Sequence, residues 1–289
     1  MPANIAIHSI KKTQEHSSDN EDLASIAARI RGRVIQLSQQ ARTPHLGSSL
    51  SFVDLLVSLY WGFLDISPDK TRDTERDRFI LSKGHGITTL YAVLCEKGFF
   101  PPVLFENYAQ SGSPLPEHPS PDCVPGIEAA TGSLGHGLSI ATGMALAAKM
   151  NGSSFMVATL LSDGECNEGS TWEAALLAPA HQLDNLVAIV DFNKWQATGR
   201  SAEVTALEPL EEKFEAFGWN SIRIDGHDFD AIESALKASR KSESPFAIIA
   251  DTVKGKGIAK MEDDNNWHYR IPTQEEVESA FAELGIEKP

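Results

Sequence analysis

Between Arg78 and Val253 the chain alternates short, continuous apolar runs with stretches at helical spacing, and nothing else in it narrows the fold as far. "RFILS", "SFMVATLLS", "LVAIVDF", "NSIRID" and "FAIIADTV" read as strands. Between them the spacing predicts helices over Ile87 to Lys97 and near Leu134 to Met150, Ser170 to His181, Leu210 to Phe217 and Phe229 to Arg240. Strands apolar on both faces, separated by helices of ten or so residues, require a mainly parallel sheet covered on both sides. The expected fold is α/β, doubly wound.

The flanks are read the same way. Residues 1–20 are polar and aperiodic and are expected to be a mobile leader; residues 21–289 read as a single α/β domain with a C-terminal extension. Leu23, Ile26, Ala27, Ile30, Val34 and Leu37 set a first helix. A second is expected over Phe52 to Phe63, with Ser51 and Asp54 as a capping pair. A long Pro/Ser-rich loop, "SGSPLPEHPSPDCVPG", interrupts the alternation, and such loops inside a domain are more often functional than idle.

Composition removes several classes of function. A formal net charge of −15 repels nucleic acid and anionic lipid. No apolar run of the length needed to span a bilayer and no signal-type segment are expected, which points to a cytoplasmic protein. Three cysteines without CxxC spacing suggest free thiols.

The chemistry-bearing stretches sit where strands end, which is where open α/β sheets bind ligands. Asp163 in "LLSDGECNEGSTWEAA" follows one strand, and Asn193 follows the next after one crossover. Their oxygens suit Mg²⁺ or Ca²⁺, and Mg²⁺ commonly takes further ligands from a phosphate. The helix near Ser170 adds a dipole that favours an anion. From spacing alone, a plain turn and helix start explains the same residues equally well. "TGSLGHG" could cradle a phosphate or mark tight packing, and "KGKG" lacks the spacing of a Walker loop. Cys166 reads as a small helix-start residue rather than a nucleophile.

"SDGECNEGSTWEAA" followed by "DNLVAIVDFNKWQ" resembles the thiamine diphosphate signature in the form carried by transketolases. "DRFILSKGHGITTLYAVLCEKGFF", "LPEHP", "PGIEAATGSLGHGLSIATGMALA", "DTVKGKG" and "NWH" resemble, in order, further segments of the N-terminal half of that family. The resemblance implies that Asp163, Asn193 and the main-chain carbonyl of Trp195 hold Mg²⁺, for which Ca²⁺ or Mn²⁺ can substitute. It implies that His85, Gly132, Leu134, Gly164, Glu168, Asn193 and Lys254 bind thiamine diphosphate. It makes His45, His85, His118 and His268 catalytic residues of the substrate channel, work that suits a ring titrating near neutrality. Glu165 is expected to be a local turn residue.

In the family, a glutamate of a second, pyrimidine-binding domain activates the cofactor, and only about 30 residues follow "DTVKGKG" here. The expectation is therefore a split transketolase: this chain with a separate C-terminal subunit, forming an α2β2 heterotetramer that moves a two-carbon ketol unit from a ketose, expected to be phosphorylated, to an aldose. The alternatives are an α-type 2-oxoacid dehydrogenase chain, a deoxyxylulose-synthase-like chain and a non-catalytic subunit. Glu117, His136, Trp195 and Tyr269 depart from the usual family pattern.

Overall fold

The computed structural model describes residues 22–121 and 123–287. The expected leader at 1–20 lies outside the described residues. The strands are β1 (Arg78–Leu81), β2 (Val157–Ser162), β3 (Leu186–Phe192), β4 (Asn220–Asp225) and β5 (Phe246–Asp251). The helices are α1 (Leu23–Ala41), α2 (Leu46–Leu50), α3 (Val53–Ser58), α4 (Ile87–Glu96), α5 (Gly137–Asn151), α6 (Gly169–Ala180), α7 (Ser201–Val204), α8 (Leu210–Ala216), α9 (Phe229–Ser239) and α10 (Gln274–Leu284).

All five strands pair in parallel, in the order β1-β2-β3-β5-β4. Every residue of β3 is buried, as a strand covered on both faces must be. Its side chains divide by pleat between two cores. Val187 and Ile189 join α1, α3, α4, α9 and α10 on one face, while Ala188 and Val190 join α5, α6 and α8 on the other. The doubly wound reading is therefore correct.

The second helix differs from expectation. Residues 46–63 form α2, α3 and a π-helical turn, Leu59–Phe63, and neither Ser51 nor a capping pair closes α3. Ser51 instead donates its hydroxyl to Asp191 at 2.6 Å, and Asp54 is consumed by Arg31 at 2.6 Å. Buried partners across the fold outcompete the local cap. The same 18 residues are long and apolar enough to cross a membrane, contrary to the sequence reading, but 89% of that window is buried inside the fold. Helix α5 starts at Gly137 rather than Leu134, because Gly132 and Gly135 take positive φ and break the turn before it.

Candidate active site

Asp163 and Asn193 leave the C-terminal ends of the neighbouring strands β2 and β3. The register of this pair sets Ser162 beside Asp191, so the two residues that follow emerge together. The Asp163 carboxylate is fully buried and accepts the Gly164 N–H at 2.8 Å, the Lys194 N–H at 2.9 Å and the Ser201 hydroxyl at 2.7 Å. Burial raises its pKa to about 6, because none of these neutral donors replaces full hydration. Asn193 donates to Asp191 at 3.1 Å and turns its carbonyl oxygen to the Trp195 N–H, also at 3.1 Å.

Beneath this edge lies a network that the sequence reading missed. Lys83 is wholly buried and pairs with Asp191 at 2.5 Å. Its ammonium also donates to the Ser48 carbonyl at 3.0 Å and lies 4.5 Å from the centre of the Phe52 ring. Asp191 accepts further bonds from Ser51 and Thr252. The clues were present: Lys83 precedes the "GHG" of His85, and Asp191 stands two residues before Asn193. Glu165 is more than a turn residue. Its buried carboxylate accepts the Ser82 hydroxyl, the Ser162 N–H at 3.2 Å and the Gly135 N–H at 2.8 Å, so it ties β1, the turn after β2 and the 131–136 loop together.

Lys254 follows β5 and is 1% exposed, so its ammonium is held inside the fold. It donates to Asn265 at 2.6 Å and faces His268 Nδ1 at 3.3 Å. Burial and the nearby charge of Lys83 lower its pKa to about 8, which still leaves it mostly protonated at pH 7. The loop that carries it is held by His227, whose Nε2 accepts the Val253 N–H at 2.9 Å while Nδ1 faces Asp54 at 2.8 Å.

Three of the four histidines expected in the channel meet. The ring centres of His45 and His85 lie 5.1 Å apart, His45 and His268 4.9 Å, and His85 and His268 6.1 Å. His45 adopts a left-handed backbone, φ 68°, and its N–H donates to the His268 carbonyl at 2.7 Å. Burial lowers His45 to about 4, helped by charge on His118, Lys254 and Lys83, and lowers His268 to about 3, helped by Lys254, His45 and Lys83. His85 is shifted well below its usual value by burial and Lys83. All three are neutral at pH 7. Because Nδ1 of His268 faces an ammonium, it is the acceptor, and its proton resides on Nε2.

His118 is exposed and packs against Gly132 outside that trio. A Cβ on Gly132, at φ 150°, would lie 2.8 Å from His118 Cδ2, and one on Gly84 would lie 2.7 Å from the Thr131 backbone. Leu134 is half-buried in the same loop, and His136 is exposed. Glu168 is exposed at the start of α6, with its side chain against Gly135. Trp195 forms an isolated bridge with Arg200. Cys166 is buried, and burial raises its thiol well above the usual value.

The donor set fits a hard cation that shares its coordination with a phosphate: one buried carboxylate, one amide oxygen and one peptide carbonyl. Among the described residues no trio of His, Cys, Asp and Glu could hold a metal ion by itself. Glycines that no side chain could replace, beside two buried lysines, suit the close approach of a diphosphate backbone.

Fold and edge together define a protein of the thiamine-diphosphate-binding class. The family described as "Transketolase, thiamine diphosphate binding domain" matches residues 23–289. An apulose-4-phosphate transketolase subunit from Phocaeicola vulgatus is 40% identical over 261 residues, covering 89% of this chain and 92% of that protein. A 6-deoxy-6-sulfo-D-fructose transketolase subunit from Clostridium sp. strain MSTE9 is also 40% identical, covering 93% and 98%. The transketolase structure from Campylobacter jejuni subsp. jejuni superposes with a TM-score of 0.87 at 30% identity, over 92% of this chain but 43% of that one. The chain belongs to the transketolase family, a family of transferases, and corresponds to the N-terminal subunit of a split transketolase.

Proposed function

We propose that this chain, with a separate subunit that brings a pyrimidine-binding domain and its activating glutamate, transfers a two-carbon ketol unit from a ketose to an aldose in the cytoplasm. The match over nearly the whole length of proteins named as transketolase subunits, rather than as whole transketolases, carries the reading. Two pairs of subunits in an α2β2 assembly would give each site its second half. Three free cysteines fit a reducing compartment. Because two relatives are named for a phosphorylated and a sulfonated sugar, the expected substrates are sugars with a distal anion.

Asp163, Asn193 and the Trp195 carbonyl would hold Mg²⁺, with Ca²⁺ or Mn²⁺ as substitutes, and the ion would grip the cofactor's diphosphate. Gly132, Leu134, Gly164, Glu168, His85 and Lys254 would line the cofactor. When bound, thiamine diphosphate supplies the chemistry by which a carbon–carbon bond next to a ketone breaks and reforms. The protein's part is placement and proton management. Buried Lys254 would set a positive charge for the diphosphate, while the charge of Lys83 is held by Asp191. Neutral His45, His85 and His268 would exchange hydrogen bonds with substrate hydroxyls, His268 through its Nε2–H, and exposed His118 would act from the channel mouth.

The test is to combine this chain with its partner subunit, thiamine diphosphate and Mg²⁺, then follow ketol transfer from ketose phosphates to aldehydes by product analysis. Transfer that needs both subunits is expected. Release of carbon dioxide from a 2-oxoacid, or no thiamine-dependent turnover with the partner, overturns the reading.

A further inference from the structure

Gln196 is the residue after the proposed metal-holding carbonyl, and its side chain lies along Gly164, directly after Asp163. A Cβ on Gly164 would sit 3.0 Å from Gln196 Cγ and 3.4 Å from its Cδ. The amide nitrogen Nε2 is buried and has no hydrogen-bond partner among the described residues. A buried donor left unpaired is a standing penalty, and such groups call for a specific explanation.

The surrounding loop does not let the side chain drift out. The Gln196 N–H donates to the Gly199 carbonyl at 2.8 Å, and the Ser201 N–H donates to the Lys194 carbonyl at 3.1 Å. From outside, Asp263 binds this loop in three ways. It accepts two parallel bonds from Arg200, both 2.6 Å, and one from the Trp195 indole at 2.8 Å. The Arg200 guanidinium lies 3.8 Å from the centre of the Trp195 ring. Asp263 belongs to the segment that carries Lys254, since its N–H donates to the Lys254 carbonyl at 2.8 Å. Neighbouring Asn265 reaches the Ala197 carbonyl at 3.2 Å. The two loops flanking the site are thereby latched to each other.

Building on the cofactor reading above, we propose that Gln196 binds the cofactor's diphosphate, its amide N–H donating to a phosphate oxygen beside Gly164, with the Arg200–Asp263 latch holding it in place. Phosphate oxygens are anionic, so this bond is of the stronger, charge-assisted kind.

The test measures binding of thiamine diphosphate with Mg²⁺ to the two-subunit complex by calorimetry, alongside thermal melting of the cofactor-free complex. Gln196→Met, which keeps the volume and removes the donor, should weaken binding about tenfold or more while the cofactor-free melting temperature stays level or rises. Gln196→Glu, which places charge against the phosphates, should weaken it further. Asp263→Asn should speed cofactor dissociation, and the swap Arg200→Asp with Asp263→Arg should recover it in part. Wild-type binding with unchanged affinity in both Gln196 variants overturns this inference alone. No binding by the wild-type complex overturns the cofactor reading with it. A cofactor-free melting temperature that falls in Gln196→Met would make the residue structural and also overturn the inference.

Discussion

Lys83 and Asp191 form an ion pair at 2.5 Å from which water is wholly excluded, directly beneath the turn that carries Asn193. Losing one partner strands the other as a buried charge. Lys83→Met should destabilise the chain by about 3–5 kcal/mol, and adding Asp191→Asn should recover much of that loss. Urea unfolding of the two single variants and the double variant would measure the coupling. Additive losses would show that the pair does not act as a unit.

Gly84 presses on the backbone at Thr131 and Gly132, leaving no room for a methyl group. Gly84→Ala should therefore destabilise by about 1–3 kcal/mol and shift the neighbouring His85 ring. Gly143→Ala, where a Cβ meets nothing within 4 Å, is the matched control and should be neutral or slightly stabilising. Thermal melts would distinguish the two.

The depressed histidines should lower stability as the solution is acidified below about pH 6, an effect that Asp163, raised to about 6 by burial, offsets in part. In the folded chain His45 titrates near 4 and His268 near 3, both below the value of about 6.5 in an unfolded chain. Between those limits the unfolded state binds protons that the folded state refuses, so the difference grows as pH drops. Each ring contributes at most about 1.4 kcal/mol per pH unit, and solvent screening at these part-exposed rings reduces it. Urea midpoints at pH 7 and 5 should lie closer together in a His45→Asn, His268→Asn double variant than in wild type, with His85 left to contribute. An unchanged pH slope would refute the depressed values.

Asp163 supplies the one carboxylate of the proposed metal set. Asp163→Asn should weaken Mg²⁺-dependent cofactor binding by more than the roughly 10–100-fold typical of outer-shell changes around a metal. In the cofactor-free chain the relief of a buried charge is opposed by an amide nitrogen that faces the donors of Gly164 or of Lys194 and Ser201, so stability should change by no more than about 1–3 kcal/mol. Calorimetric titration with Mg²⁺ and thiamine diphosphate decides it, and unchanged affinity would remove Asp163 from the metal.

The sequence carried the sheet because continuous apolar runs such as "LVAIVDF" are legible one strand at a time. That Asp163 and Asn193 emerge side by side was legible because they follow successive strands that become neighbours. What stayed hidden depended on distant partners. Lys83 and Asp191 are 108 positions apart, and nothing local marks a lysine that will be fully buried. Ser51 and Asp54 followed a capping pattern but went to tertiary partners. Glu165 occupied a turn, yet its bonds to Ser82 and Gly135 come from other segments.

The strand order has a consequence for synthesis. β5 lies between β3 and β4 although it follows both in the chain. Until residue 251 has emerged, the ladder of β3 toward β5 has no partner, and it belongs to a strand apolar throughout. An unpaired apolar edge is a template for wrong pairing. The nascent chain is thus most prone to aggregate after β3 has emerged and before β5 has, and the strand that precedes Lys254 is the one that ends the exposure.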